Sequence, residues 1–125
     1  MKTDNKCDCN SIHDDVVLSA KETLSKMIII DKLSSFYKVF ADQTRLKILT
    51  ILDAVGSMCV NDIAVTINMT KSAVSHQLNY LRVNNLVKSQ KSGKEVMYGI
   101  ADEHVKDIFE KGVEHILEGT HEKRV

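Results

Sequence analysis

The sequence contains no proline and no tryptophan, only five glycines, and no apolar run longer than the four residues 27–30. Without proline-rich or glycine-rich stretches, collagen-like structure and long disordered segments are excluded. A transmembrane helix needs about 20 consecutive apolar residues, so the chain offers no candidate span. Residues 1–10 are polar and lack the apolar segment of a secretory signal peptide. These absences predict a soluble cytoplasmic protein with no membrane partner.

Cysteine is also scarce, and its three occurrences are Cys7, Cys9 and Cys59. An odd number of thiols cannot pair completely within one chain, and the C-x-C spacing of Cys7 and Cys9 is unfavourable for a disulfide. We therefore expect reduced thiols, which serve as metal ligands or as ordinary residues. The 125 residues, 43% of them apolar, suffice for one domain with its own core.

The chain has 17 basic and 17 acidic residues, so its net charge is zero, but the charges are distributed unevenly. Residues 60–100 hold five basic and two acidic side chains, whereas residues 101–125 hold four basic and seven acidic ones. A basic middle segment beside an acidic C-terminal segment indicates that the two segments meet different partners.

The first part of the chain predicts three helices. Capping side chains at residues 13–15 precede the first helix, Asp31 is expected to cap the second, and the third follows Asp42 and ends at Gly56. Apolar residues recur at helical spacing in each helix. The expected apolar positions are Val16, Val17, Ala20, Leu24 and Met27, then Leu33, Phe36, Tyr37 and Phe40, then Leu46, Ile48, Leu49 and Leu52.

Two shorter helical patterns follow. Asn61 and Asp62 are expected to cap a helix of about two turns, a tight turn follows at Asn68, and Thr70 caps a helix that runs to about residue 84. Their apolar positions match two helices that cross at a steep angle, as in a helix-turn-helix. These positions are Ile63, Ile67, Val74, Leu78 and Leu81.

Strand-like runs occupy residues 86–91 and 95–100, and the glycine between them indicates a β-hairpin. Helical spacing returns at Asp102 and continues to Leu117. The predicted fold is mainly α with a small β-hairpin, a homodimeric winged helix-turn-helix. We expect a flexible N-terminal arm at residues 1–13, a winged-helix DNA-binding and dimerisation domain at 14–118, and a C-terminal tail at 119–125.

The second helix of the helix-turn-helix pattern displays side chains that suit nucleic acid. Ser, Gln and Arg contact base edges, and Lys and Arg neutralise phosphates. The alternative interpretation is a solvated helix face beside a charged turn. One subunit with only five basic residues in this segment would bind DNA weakly. We therefore expect a homodimer on double-stranded operator DNA. The candidate DNA-contacting residues are Lys71, Ser72, Ser75, His76, Gln77 and Arg82, with Lys91 and Lys94 in the hairpin.

Four candidate metal ligands, Asp102, His104, His115 and Glu118, lie on the predicted C-terminal helix. His104 and His115 differ by only about 20° around an ideal helix but by about 16 Å along it. A zinc site needs every ligand atom within roughly 2.0–2.2 Å of one ion, so one helix cannot close the site. An antiparallel helix from a second chain can, because a two-fold axis near residue 110 pairs Asp102 and His104 with the partner's His115 and Glu118.

Two imidazoles and two carboxylates suit Zn(II) or Co(II). The alternative interpretation is that Asp102 only caps the helix and that the other three residues are surface side chains. His121 is a further candidate, but it lies beyond Gly119 in the expected tail.

Cys7, Cys9 and Cys59 form a second candidate metal set. Three thiolates, with or without His13, suit a soft ion such as Cd(II) or Pb(II). Two alternatives stay open: Cys59 is an ordinary small buried residue, or the three thiols make the protein a redox-responsive repressor of the same fold.

An enzyme is not expected, because the sequence carries no nucleophile–base set and no phosphate-cradling glycine-rich loop. A zinc hydrolase in particular fits badly, since ligands on one helix require a partner chain.

Four stretches of the chain form a recognisable combination: FADQTRLKIL at residues 40–49, CVNDIA at 59–64, SHQL at 75–78 and DEH at 102–104. Together they resemble the ArsR/SmtB family of metal-responsive winged-helix repressors, and the resemblance covers about residues 30–118. The zinc and cadmium/lead sensors of that family use a D-x-H…H-x₂-[EH] set on the last helix. Asp102, His104, His115 and Glu118 match this set position by position.

The resemblance implies a homodimer that binds operator DNA without metal, releases it on binding Zn(II) or Cd(II)/Pb(II), and so controls metal efflux or resistance genes. Cadmium/lead sensors also carry a C-V-C run and N-terminal cysteines. Here Cys59 matches the first cysteine of the run but Asn61 replaces the second, which leaves a three-thiolate or mixed site with Cys7 and Cys9. The helical cysteine of the arsenic sensors is absent after Asp62, so arsenite sensing through that motif is not expected.

Overall fold

The structure of the protein, a computed structural model, describes the backbone of residues 6–124 and the side chains of residues 6–119. Within these residues it contains six helices and three strands. In chain order they are α1 (Asp14–Lys26), α2 (Ile30–Phe40), α3 (Gln43–Val55), β1 (Met58–Cys59), α4 (Val60–Ile67), α5 (Lys71–Val83), β2 (Val87–Ser92), β3 (Glu95–Ile100) and α6 (Glu103–Arg124).

The chain divides into two compact units after Ser35, within α2. The first unit holds α1, which was correctly predicted as a helix but buries none of its side chains. Its apolar residues Val16 and Leu24 are more than 60% exposed. The expectation of a side-chain cap at His13 is wrong, because His13 makes no capping hydrogen bond, and the Ser11 hydroxyl instead donates to the Asp14 carboxylate.

The second unit is built around one apolar core, to which α2 to α6 and the hairpin all contribute. Burying this surface supplies the main favourable term in folding. The helix-turn-helix side chains predicted to be internal are confirmed there, except that Ile67 is only half-buried. The core comprises Val39, Ile48, Leu49, Leu52, Ile63, Ala64, Val74, Leu78, Leu81, Leu86, Val87, Val105 and Phe109.

Local capping residues determine where α3 and α5 begin, as predicted. Asp42 accepts a hydrogen bond from the Arg45 N–H at 3.0 Å, and Thr70 accepts one from the Ala73 N–H at 3.1 Å, so each cap satisfies an otherwise unpaired amide. Gly56 ends α3 with a positive φ of 97°, which favours glycine.

Two other starts differ from the prediction. Helix α4 begins at Val60, after Cys59, so Asp62 lies in its first turn rather than at its cap. Helix α2 begins at Ile30, which likewise places Asp31 inside the first turn, and it buries Val39 whereas the expected Tyr37 is 52% exposed. In both cases the chain enters the helix before the first side chain able to cap it.

The three strands form one antiparallel sheet in the order β1-β3-β2. The predicted hairpin is confirmed and turns at Gly93, whose φ is +64°. Strand β1 was not predicted, because two residues are too few to show an alternating pattern. A side chain at Gly99 would place a Cβ atom 2.8 Å from the Gly56 carbonyl oxygen, so this close approach requires glycine.

The helix-turn-helix, the hairpin and the flanking helices confirm the winged helix-turn-helix fold. Helix α6 continues beyond Gly119 to Arg124 rather than ending at residue 118. Among the helices of residues 6–124, none combines the length and the apolar content that crossing a bilayer requires.

Candidate nucleic-acid and metal interfaces

Helix α5 is fixed by its apolar face, which buries Val74, Leu78 and Leu81 completely. Because successive residues of a helix point about 100° apart, Ser72 and His76 lie opposite this face, whereas Lys71, Gln77 and Arg82 lie at its sides. Among the residues predicted to meet DNA, Gln77 is half-buried, and the others on the helix are exposed. The exposed ones are Lys71, Ser72, Ser75, His76 and Arg82.

Gln77 has a partner that sequence reasoning did not identify. Arg45, in the first turn of α3, donates from its terminal guanidinium nitrogen to the Gln77 side-chain oxygen at 3.3 Å. The same guanidinium lies 4.5 Å from the centre of the Tyr80 ring. These contacts join residues that are 32 or more positions apart, so no local pattern in the sequence predicts them.

The hairpin places further cations next to the helix-turn-helix in the chain. Lys88, Lys91 and Lys94 are all exposed, as the predicted wing requires. Residues 63–94 contain no Asp or Glu, so no carboxylate within this segment offsets the charge of its lysines and of Arg82. A cationic surface of this kind attracts phosphate.

At the start of α6, Asp102 and His104 lie close together. The Asp102 carboxylate caps the helix by accepting the Val105 N–H at 3.0 Å, and the same oxygen lies 3.8 Å from His104 Nδ1. Both side chains are accessible, with 55% of Asp102 and 93% of His104 exposed. Asp102 therefore caps the helix, as the alternative to a metal site predicts. Its carboxylate nevertheless stays accessible beside the His104 imidazole.

The other two predicted ligands, His115 and Glu118, are exposed further along α6, which is one continuous helix. They are three residues apart, so their side chains are neighbours on one helix face. Within the described part of the single chain, no three His, Cys, Asp or Glu side chains converge as a metal site. The donors on α6 are thus arranged as two separated pairs.

An open apolar groove of about 540 Å³ runs along α6, between this helix, the end of α2 and α3. Several of its side chains are strongly exposed for apolar residues, including Tyr37, Val113, Ile116 and Leu117. The full lining comprises Tyr37, Phe40, Ala41, Leu46, Thr50, Ile108, Phe109, Gly112, Val113, Ile116 and Leu117.

The cysteines differ from the prediction in one respect. Cys7 and Cys9 form a disulfide, although their spacing was judged unfavourable for one. The segment before α1 is not helical, and it brings the two Cα atoms to 5.7 Å, within the range that a disulfide spans. Cys59 is a free thiol buried at the start of α4.

Lys106 anchors the first turns of α6 to α3. Its ammonium group lies 2.6 Å from an Asp53 carboxylate oxygen and 3.3 Å from one of Glu110. The hydrogen bonds that Lys106 donates to Asp53 and to Glu110 stabilise its charged form and raise its pKa. This ion pair holds the helix that carries the candidate metal ligands.

The fold is shared by solved structures of transcriptional regulators. The AntR antimony-specific transcriptional repressor superposes with a TM-score of 0.65 at 32% identity, covering 73% of this chain and 82% of that one. The homodimeric winged helix-turn-helix DNA-binding domain of Mb0332 from Mycobacterium bovis, a possible ArsR-family regulator, superposes with a TM-score of 0.67 at 27% identity, covering 80% and 90%.

Sequence relatives point the same way. The family described as "Bacterial regulatory protein, arsR family" matches residues 42–89, which contain α3, α4 and α5. A Staphylococcus aureus protein described as a cadmium resistance transcriptional regulatory protein CadC homolog is 37% identical over 113 residues, which are 90% of this chain and 93% of that protein. Since the match extends over nearly the whole of both chains, this protein belongs to the ArsR/SmtB family of winged-helix transcriptional repressors, which bind DNA and are not enzymes.

Proposed function

We propose that the protein is a metal-responsive repressor, which binds operator DNA as a metal-free homodimer and dissociates when Zn(II), or Cd(II) or Pb(II), binds between two α6 helices. One observation carries the proposal: α6 exposes two separated donor pairs and also lines an apolar groove. The regulated genes are those for metal efflux or resistance, and the protein acts in the cytoplasm, where its operator lies.

Operator binding is supported by the cationic segment at residues 63–94. Lys71 and Arg82 stand near opposite ends of α5, while Lys91 and Lys94 extend the surface into the hairpin. Each lysine that contacts a phosphate releases counterions, which supplies sequence-independent affinity. Two copies of α5 double these contacts when they enter successive turns of the major groove, about 34 Å apart.

Homodimerisation is supported by the apolar groove. Val113, Ile116 and Leu117 expose 43%, 66% and 61% of their surface, which favours burial against a partner. We assign the groove to a second copy of this chain, and the Mb0332 domain, which shares the fold, is homodimeric. Ile108, which lines the groove, lies only about 40° from His104 around the helix. The proposed ligand His104 therefore lies at the border of the groove.

The donor set on α6 fits a tetrahedral ion. Asp102 Oδ1 and His104 Nδ1 are 3.8 Å apart, which allows both atoms to bind one ion with ligand distances of about 2.0–2.2 Å. An antiparallel second α6 adds the partner's His115 and the partner's Glu118. When bound, Zn(II) or Co(II) supplies the attraction that holds these four donors together.

Thermodynamic linkage explains the response. The dimer geometry in which the four donors converge is stabilised at the expense of the geometry that fits DNA, so the population shifts away from DNA. The coupling is reciprocal, and operator DNA must weaken metal binding by the same factor.

The test measures fluorescence anisotropy of the full-length protein on DNA from upstream of its own gene, with and without Zn(II), Cd(II) or Pb(II). Zinc is expected to weaken binding about 5- to 150-fold, the usual range of allosteric coupling. Unchanged binding with all three ions would refute the metal response.

Matched variants locate the site. Asp102→Asn keeps an oxygen that can accept the Val105 N–H but removes the charge of the ligand, so it should retain metal-free DNA binding and lose zinc release. Glu118→Gln should do the same, while Glu114→Gln on the same helix serves as the control with a normal response. Equal zinc release by Glu118→Gln and Glu114→Gln would contradict the assignment of the site to these residues.

A second candidate function, a thiol-redox repressor, is favoured by the Cys7–Cys9 disulfide. A peroxide would be the oxidant: two thiols and one peroxide give the disulfide and two waters, and DNA affinity would follow the oxidation state. Replacing Cys7, Cys9 and Cys59 together with Ser separates the candidates. The redox function requires the response to peroxide to disappear, whereas the α6 metal function requires the zinc response to persist.

A further inference from the structure

Arg45 connects three helices of the second unit. Its Nε donates to the Val39 carbonyl at the end of α2 at 2.7 Å, and a terminal nitrogen donates to the Gln77 side-chain oxygen in α5 at 3.3 Å. The guanidinium also stacks over Tyr80, 4.5 Å from the ring centre. Arg45 itself is held in the first turn of α3, where its N–H donates to Asp42.

These contacts require the chemistry of arginine. A planar guanidinium can donate in two directions and present its face to an aromatic ring at the same time, which the ammonium of lysine cannot do. The Val39 carbonyl is among the last four of α2, which lack partners within the helix, and the negative end of the helix dipole favours a cation there. The end of α2 therefore helps to hold Arg45 in place.

The contact with Gln77 determines which end of its amide meets a ligand. Arginine has no acceptor, so the amide oxygen must be the atom that faces Arg45. A glutamine that reads adenine uses both its oxygen and its NH₂ group. With its oxygen turned to Arg45, Gln77 offers its NH₂ donor, which matches guanine O6 and N7 or thymine O4. Adenine also presents an acceptor at N7, but its N6 amino group then faces another donor and stays unpaired, so adenine is the poorer match.

We propose that Arg45 is a specificity-determining positioning residue: by holding the Gln77 oxygen, it makes α5 present an amide donor and selects against adenine at the operator position that Gln77 faces. The inference rests on the proposed operator binding. It adds a residue outside the helix-turn-helix to the set that decides which sequence is bound.

The test selects DNA from a pool of randomised duplexes with the full-length protein and sequences the bound fraction. The wild type should disfavour adenine at one position of each half-site, and Gln77→Ala should lose the preference at that position alone. In Arg45→Met the frequency of adenine at that position should rise about tenfold, because the released Gln77 amide can then make a bidentate contact with adenine. Arg45→Lys should behave like Arg45→Met, because a lysine ammonium cannot donate to Val39 and Gln77 while it presents a planar face to Tyr80.

The matched control is Lys71→Met in α5, the helix that carries Gln77. Lys71 is exposed and is expected to contact phosphate rather than bases, so its loss should weaken binding evenly and leave the sequence preference unchanged. If Arg45→Met binds more weakly but keeps the wild-type preference, Arg45 is only structural and the inference is overturned.

A second variant keeps the test decisive if circular dichroism shows that Arg45→Met is unfolded. Gln77→Glu retains an acceptor for Arg45 but removes the NH₂ donor, so it should lose the same preference as Gln77→Ala. An unchanged preference in Gln77→Glu also overturns the inference. If instead the wild type enriches no sequence from the pool, operator binding itself fails, which distinguishes the two proposals.

Discussion

Helices α5 and α6 carry the two proposed interfaces, but they are supported in different ways. Helix α5 buries Val74, Leu78 and Leu81 completely within its own chain. Helix α6 buries Val105 and Phe109 near its start, whereas Val113, Ile116 and Leu117 remain 43–66% exposed. The helix of the proposed DNA interface is thus positioned by the single chain, while much of the apolar surface of the helix with the proposed metal ligands stays uncovered by its own chain.

This difference in packing fits the different functions proposed for the two helices. A helix that must read a fixed groove gains from a rigid, fully packed base, since misplacing its side chains costs contacts with DNA. A helix that must respond to an ion gains from packing that is completed only in the dimer, because the geometry between two chains can change at lower cost than a core.

The largest effect is expected from Leu78→Ala in α5. Leu78 is fully buried, and removing its side chain leaves a cavity in the core that holds the helix. The variant should lose about 2–5 kcal/mol of unfolding free energy, measured by urea denaturation followed by circular dichroism. A loss below about 1 kcal/mol, as usual for exposed positions, would show that α5 is not fixed by this core.

Ile116→Asp in α6 should leave the chain folded but break the dimer. A charge in the apolar groove opposes burial against a second copy, and DNA affinity should fall about a hundredfold when two half-sites are no longer linked. Sedimentation velocity and anisotropy measure the two effects. Val65→Asp, at an exposed apolar residue on α4 outside the groove, is the control and should remain dimeric.

A smaller effect is expected from Lys71→Ala at the exposed start of α5. Removing one phosphate contact per subunit should weaken operator binding several-fold and lower the salt dependence by about one counterion per subunit. The zinc response should persist, because Lys71 belongs to the interface that the single chain positions. An unchanged salt dependence would exclude Lys71 from the phosphate contacts.

The smallest effect concerns Lys106, which ties α6 to Asp53 of α3. The raised pKa of Lys106 means that its ion pairs stabilise the folded state from neutral pH up to the ordinary lysine value of about 10.4, and that this contribution is lost as the pH rises through the raised pKa. Lys106→Gln should therefore have a lower Tm than the wild type at pH 7, and the difference should disappear in strongly alkaline buffer. A difference that persists there would have a cause other than charge.

Local signals made most of the fold predictable. The caps at Asp42 and Thr70, the stop at Gly56 and the turn at Gly93 each act on the residues beside them, so the sequence around each one specifies its own structure. The apolar periodicity of α5 identified its buried face for the same reason. Strand β1 was missed because its structure comes from pairing with β3, almost 40 residues later.

The candidate sites were predictable only in part. Residue type and helical spacing sufficed to select Lys71, Arg82, Asp102 and His104 as exposed functional candidates, and the structure places them on the surface. Helix α1 has the predicted apolar spacing but buries none of its side chains, because amphipathic spacing shows that a face is apolar but not whether the same chain covers it.

The sequence by itself determined the order of helices and hairpin, the basic middle segment and the two donor pairs on α6, since these depend on neighbours along the chain. Only the tertiary structure decided that Arg45 holds Gln77, that Asp53 holds Lys106 and that an apolar groove stays open beside α6. Such contacts join residues far apart in the chain, and they exist only when the core has brought whole helices together.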